Sequence, residues 1–141
     1  MTQKKITERW VQNLVASMDA HLDEQTKTAL MESCGRACAR GGAINSAKTC
    51  QGNADRLVTT LENSIGKGHA RRDGDVVHVV YPKRLCHLVA KGPPALPDTY
   101  CLCSRGWLKE MFETVLGEPV EVELLDSVKR GADQCSFTVR W

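Results

Sequence analysis

Apolar residues in the first half of the chain recur three or four positions apart, which is the spacing of one face of an α-helix. The first stripe runs from Trp10 to Leu22, and Thr7 is placed to cap the helix that it predicts. A second helix is predicted over residues 24–40, with Asp23 as its N-cap and two glycines at its end. The first third of the chain is therefore expected to be helical.

A third helix is predicted to open at Asn45 or Ser46 and to end at Gly66. Cys50 lies within its apolar stripe, so this cysteine is expected to belong to the core. The pattern then changes, because residues 72–75 are typical of a hairpin turn and are followed by the valine-rich stretch 76–80. The second half is expected to be rich in strands.

Alternation of polar and apolar residues continues towards the C-terminus. Residues 119–125 predict a strand, and the last strand is predicted to place Cys135, Phe137, Val139 and Trp141 on one face. Between the two β regions, residues 92–97 are rich in proline and predict a loop. A fourth helix is predicted after Cys103, with Ser104 as its N-cap.

Helical stripes followed by alternation predict an α+β fold, in which two layers share one core. We expect three N-terminal helices to pack on an antiparallel sheet, with the fourth helix inserted after the Cys-x-Cys segment. At 141 residues the chain is expected to form a single domain over 1–141, with a helical half at 1–66 and a β-rich half at 67–141.

Composition narrows the classes of function. A hydrophobic fraction of 42%, a charged fraction of 26% and a net charge of +2 do not suggest nucleic acid as a partner. No apolar run is long enough for a signal peptide or a membrane span, so we expect a cytoplasmic protein that does not bind membranes. Seven cysteines are many for such a chain. In a reducing compartment they are expected to be ligands, nucleophiles or core residues rather than disulfides.

Two pairs of cysteines have a spacing that can present both thiols together. Cys34 and Cys38 lie four residues apart on the second helix, and Cys101 and Cys103 share one face of an extended segment that leads into the fourth helix. The helix N-terminus favours thiolate there. Four thiolates are what a structural zinc or an iron-sulfur cluster takes. We therefore predict a metal site at Cys34, Cys38, Cys101 and Cys103.

A shared metal would require the sulfur atoms to lie within about 4 Å of each other. The second helix would then have to pack over the start of the fourth, and Gly35 and Gly106 would permit that close approach. Cys86, His87 and Cys135 are secondary candidates for a metal or a ligand. If Cys101 or Cys103 were instead a catalytic nucleophile, His87 would be the best candidate for its base.

Residues 100–141 carry a recognisable series of motifs. It comprises a cysteine before a glycine-containing helix, Leu116-Gly117 near the helix end, an acidic strand with Glu121 and Glu123, and then Gly131 with Cys135-Ser136-Phe137. In this series the chain resembles the 4-vinyl-reductase-like domain, a small α+β ligand-binding module of bacterial regulators and tetrapyrrole biosynthesis proteins. More weakly, it is similar to cysteine-rich proteins near the L-2-amino-thiazoline-4-carboxylic acid hydrolases.

The first resemblance implies zinc as a cofactor and a small molecule as the ligand. Metal-binding members hold zinc by a cysteine before the helix, a glutamate and a cysteine in the acidic strand, and the cysteine after the glycine turn. This adds Glu123 to the secondary candidates. The chain departs from the pattern at Ser127, which stands where the family's strand cysteine would fall. The module also serves dimerisation in related folds, which makes a homodimer one expected arrangement.

Three functions therefore remain open from the sequence. The chain is a small-molecule-binding or metal-binding domain with a cysteine-rich, zinc-type site, or a cysteine-dependent hydrolase of a small substrate, or a dimeric interaction module whose cysteines are buried and inert. The sequence does not decide whether the protein is an enzyme. It also does not name the metal, since zinc, an iron-sulfur cluster and no metal are all compatible with it.

Overall fold

The computed structural model describes residues 2–81, 102–126 and 135–141, with the backbone alone at Asp126. The described helices are α1 (Gln3–His21), α2 (Glu24–Arg40), α3 (Ile44–Lys48), α4 (Ala54–Ile65) and α5 (Leu102–Leu116). The described strands are β1 (Ala70–Asp73), β2 (Val76–Tyr81), β3 (Glu121–Asp126) and β4 (Cys135–Arg140). The predicted α+β class, with helices first and an antiparallel sheet after them, is confirmed.

Capping side chains set the start of the first two helices. Thr2 rather than Thr7 caps α1, because its hydroxyl accepts a hydrogen bond from the Lys5 amide, whereas Thr7 lies inside the helix. Asp23 caps α2 as predicted, and its carboxylate accepts from the Thr26 amide at 2.7 Å.

A buried lysine joins the end of α1 to the start of α2. Lys27 is 5% exposed, and its ammonium group lies 2.9 Å from Asp19 and 2.6 Å from Glu24. Hydrogen bonds to Glu24 and then Asp19 raise the pKa of Lys27, so the buried group keeps its charge.

The third predicted helix is two helices. Residues 49–53 interrupt it, with Gln51 and Gly52 in the left-handed region at φ values of 53° and 74°. Asn53 then caps α4 by accepting hydrogen bonds from the Asp55 and Arg56 amides. Glycine tolerates this backbone and asparagine competes for amide donors, so the local chemistry overrides the apolar stripe. The predicted end at Gly66 is confirmed.

The four strands form one antiparallel sheet in the order β1-β2-β4-β3. The predicted hairpin is present, since Asp73 pairs with Val76 and Gly74 lies between the strands with a φ of 62°. Val77 and Val79 of β2 face the same side as Val139 and Phe137 of β4, and all four are buried. The predicted orientation of β4 is thus confirmed.

The helices cover that face of the sheet in two layers. Leu108, Phe112 and Val115 of α5 pack into the core, and α4 contacts β1. Helix α2 packs chiefly on α5, so it adds an outer layer. The Cys-x-Cys segment does not precede α5, because α5 begins at Leu102; Cys103 and Ser104 therefore lie in its first turn, and the prediction of Ser104 as N-cap is wrong.

Buried and exposed apolar residues share α1. Val15 is buried, whereas Trp10 is 64% exposed and Ile6 and Leu14 are exposed as well. Within the described residues, no helix is long and apolar enough to cross a membrane.

Candidate functional site

Helices α2 and α5 cross with their backbones in close contact. A Cβ atom added at Gly35 would overlap the carbonyl oxygen of Cys103, and one added at Gly106 would overlap the carbonyl oxygen of Glu32. Only glycine lets two helix backbones approach this closely. The predicted packing of the second helix over the start of the later helix, through Gly35 and Gly106, is confirmed.

Charged side chains bridge α2 and α5 on one side of this crossing. Lys109 donates to Glu32 at 3.0 Å and 3.1 Å. Arg105 Nε lies 3.1 Å from Glu32, close enough for an ion pair but without hydrogen-bond geometry. Glu32 is thus shared by two cations of α5. Glu32 was not among the site residues predicted from the sequence, although its carboxylate is central to this side of the crossing.

A second set of charges continues the bridge towards the end of α2. Arg36 donates to Glu113 at 2.8 Å, and Arg40 donates to Glu110 at 2.9 Å. The hydrogen bond from Arg40, followed by the interaction with Arg36, holds the pKa of Glu110 below its usual value against the effect of burial. The four-residue spacing of acidic and basic positions on both helices was the sequence signal for this network.

An open cavity of about 670 Å³ lies beside β3. We call it the edge cavity. Helices α2 and α5 line one side with Glu24, Thr28, Leu102, Arg105 and Lys109, and the sheet lines the other with residues 120–124, Thr138 and Arg140. Its volume is within the range of small-molecule sites.

Thr138 is the unusual residue of the edge cavity. It is 3% exposed and lies on β4, where it pairs with Glu123 of β3 and with His78 of β2. Its Oγ1 atom is buried and has no hydrogen-bond partner in the part of the chain that the structure describes. Most buried polar atoms in proteins have such a partner, so this hydroxyl stands out among the described residues.

The structure describes three of the four predicted metal ligands, Cys34, Cys38 and Cys103. Cys34 and Cys38 are both exposed on α2, and Cys103 is half-buried in the first turn of α5. Over residues 2–81, 102–126 and 135–141, no three His, Cys, Asp or Glu side chains form a group that could hold a metal. Cys34, Cys38 and Cys103 therefore do not form such a group. Because Cys101 lies outside the described residues, the site of four thiols stays a prediction.

Cys103 and Cys135 both interact electrostatically with the same tyrosine, Tyr81. Tyr81 pairs directly with Cys135 across β2 and β4, and its ring meets Phe137 edge-on at 5.6 Å between centroids. Burial raises the pKa of Tyr81, and electrostatic interaction with Cys103 and Cys135 raises it further. The sequence offered both cysteines as candidates but did not single out the tyrosine.

Of the remaining secondary candidates, the structure describes Glu123 but not Cys86 or His87. Glu123 is exposed on β3 and lines the edge cavity. Cys86 and His87 lie outside the described residues. Cys50 is 2% exposed in the core, where the sequence analysis placed it.

These features define a small α+β protein with a cavity at one edge of its sheet and a buried tyrosine that interacts with Cys103 and Cys135. The chain belongs to a family of unknown function, DUF6144, whose sequence model matches residues 1–140. No curated protein matches it. The resemblance of residues 100–141 to 4-vinyl-reductase-like domains stays an interpretation of the sequence motifs.

Proposed function

We propose that this protein binds a small polar ligand in the edge cavity and that the Thr138 hydroxyl makes a hydrogen bond to it. The observation that carries the proposal is that Thr138 lines the cavity and that its buried Oγ1 atom has no partner among the described residues. A buried hydroxyl without a partner costs about 1–3 kcal/mol. A ligand that supplies the partner recovers this free energy on binding.

Charges around the edge cavity indicate the kind of ligand. Arg105, Lys109 and Arg140 contribute three positive charges, and Glu24, Glu121 and Glu123 contribute three negative charges. The balance favours a ligand that is uncharged or carries charges of both signs over a strong anion or a metal cation. Amides and amino acids have this character.

We also propose that the protein is cytoplasmic, where its cysteines stay reduced.

The test compares wild type with Thr138→Val. Valine has the shape of threonine without its hydroxyl, so this variant should be as stable as wild type or more stable. We expect it to bind more weakly. The probes are free amino acids, N-acetyl amino acid amides and acetate, with binding read from protein amide chemical shifts.

Ser136→Ala is the matched control, because Ser136 lies two residues away on the same face of β4 and does not line the cavity. The proposal predicts weaker probe binding in Thr138→Val and unchanged binding in Ser136→Ala. It is wrong if no probe shifts the resonances of the edge cavity, or if Thr138→Val binds the probes as wild type does.

A second candidate function, metal binding, is supported by the electrostatic interaction of both Cys103 and Cys135 with Tyr81, which pairs with Cys135 across the sheet. Two thiols do not fit zinc by themselves, since a structural zinc takes four donors. The other donors would have to come from Cys86, His87 or Cys101. The hydrolase and interaction-module alternatives, together with the homodimer, stay predictions.

Metal content of protein purified without oxygen tests this second candidate. A metal site that includes Cys103 and Cys135 predicts loss of metal in Cys103→Ser and in Cys135→Ser but not in Cys34→Ser. Loss of metal in Cys34→Ser as well would instead support the site of four thiols. Wild-type protein without stoichiometric metal would contradict both.

A further inference from the structure

The edge cavity follows the outer edge of β3. Five consecutive residues, 120–124, line it. Side chains of a strand point alternately to opposite faces, so a cavity on one face would meet only every second residue. A cavity that meets all five runs along the edge of the strand, where backbone amide and carbonyl groups point outwards.

That edge has no neighbouring strand in the described sheet. The order β1-β2-β4-β3 leaves β3 at the end, and β3 uses its other edge to pair with β4. In an antiparallel strand alternate residues direct their amide and carbonyl groups to each side. About half of the four β3 residues that line the cavity, Glu121–Leu124, therefore offer backbone hydrogen bonds to it. An extended peptide is the ligand that matches such a row.

On the basis of the proposed ligand site, we propose that the edge cavity binds an extended peptide segment of another protein as an additional strand beside β3. The charges of β3 favour a different chain over a second copy. Glu121 and Glu123 point to the outer face of the sheet, so pairing β3 with β3 of another copy would bring these glutamates together.

The same charges specify the side chains of the peptide. Lysines at alternate positions would lie on the outer face beside Glu121 and Glu123. The long stem of such a lysine can reach over β3, so that its ammonium group donates to Thr138 two strands away, at about 10 Å. The intervening positions face the helices, where Leu102 favours an apolar side chain and the pair Arg105 and Lys109 favours an acidic one.

The probe is therefore the peptide Ac-Lys-Val-Lys-Glu-Lys-NH2, with binding measured by calorimetry and by amide chemical shifts of the protein. Exchanging every lysine for glutamate and the glutamate for lysine gives the charge control. Two further versions carry N-methyl groups, one on the amides of the three lysines and one on the amides of the other two residues. An N-methyl group removes the hydrogen-bond donor at its position.

Only one edge of a bound strand faces β3, so the two N-methylated peptides should differ. We expect one to bind at least about tenfold more weakly than the parent and the other to bind nearly as well. The charge-exchanged peptide should also bind more weakly, and Thr138→Val should weaken the parent peptide.

The outcomes separate this inference from the ligand site on which it rests. Equal binding of both N-methylated peptides rules out strand pairing, as does a parent peptide that does not bind while amino acids or amides still shift the edge cavity. In either case the proposed ligand site is still supported if Thr138→Val weakens the binding of the peptide or small probe that binds wild type. If neither peptides nor small probes shift the cavity, both proposals are wrong.

Discussion

At the scale of single residues, the backbone contact between α2 and α5 depends on the absence of two side chains. A Cβ atom at Gly106 would meet backbone atoms of Glu32, which cannot move aside as the end of a flexible side chain can. We expect Gly106→Ala to lower the free energy of unfolding by about 1–3 kcal/mol or more, because the helices must separate to admit the methyl group. Urea denaturation measures the loss.

Gly42→Ala is the control for this change. A Cβ atom at Gly42 would have no neighbour within 4 Å, so alanine there should leave the stability unchanged or raise it slightly. Equal stability of Gly106→Ala and wild type would show that the crossing is looser than the structure has it.

At the scale of helices and strands, α1 is attached through one side only. Val15 is 4% exposed, whereas Trp10, five residues earlier, is 64% exposed. We expect Val15→Ala to cost about 1–2 kcal/mol, since it removes two buried carbon atoms. Trp10→Gln should change the free energy of unfolding by less than about 0.5 kcal/mol. Thermal and urea unfolding of the two variants compare these effects.

The larger aromatic residue is thus expected to matter less than the smaller valine. A large loss of stability in Trp10→Gln, dependent on protein concentration, would show that the exposed side of α1 is covered in solution. A loss independent of concentration would contradict the exposure of Trp10.

Element by element, the sequence was informative where the determining contacts are local. Asp23 and the apolar spacing after it predicted the bounds of α2, and Gly74 predicted the β hairpin. Local signals were misjudged at Thr7, at Ser104 and at the break before Asn53, where several residues could have capped a helix. The strand order β1-β2-β4-β3 could not be predicted, because it depends on contacts between distant segments.

For the candidate site, the sequence predicted the residue types better than their arrangement. Gly35 and Gly106 were expected to permit a close approach of the two helices, and each lies against the backbone of the other helix. Cys103 and Cys135 were expected near a site, but the role of Tyr81 required the pairing of β2 with β4. Thr138 gave no signal at all, since an alternating threonine in a strand is ordinarily exposed.

At the scale of the whole molecule, the charge network predicts how stability falls in acid. Arg40, and then Arg36, hold the pKa of Glu110 below its ordinary value of 4.5. The stabilisation is therefore present above that value and is lost as the pH falls through the lower pKa of the folded state. We expect Glu110→Gln to be less stable than wild type at neutral pH and to lose less stability in acid. Urea midpoints at a series of pH values measure the difference.

Glu118→Gln serves as the comparison, because Glu118 is exposed and follows the end of α5. Its curve should run parallel to that of wild type. If Glu110→Gln also runs parallel, the network does not contribute to the acid dependence.

The alkaline limit of stability should depend on Tyr81. Burial, with electrostatic interaction from Cys103 and Cys135, raises the pKa of this tyrosine above its ordinary value of 10.0. The folded state then holds the phenolic proton more tightly than the unfolded state does, so the stabilisation is complete below about pH 10 and is lost as the pH rises towards the folded pKa.

Tyr81→Phe keeps the ring against Phe137 but has no proton to lose. We therefore expect its urea midpoint to fall less than that of wild type between about pH 9 and pH 11. Both proteins keep the same cysteines, so thiol ionisation contributes similarly to each curve. If the urea midpoints of the two proteins change in parallel with pH, the Tyr81 hydroxyl is not buried as the structure has it.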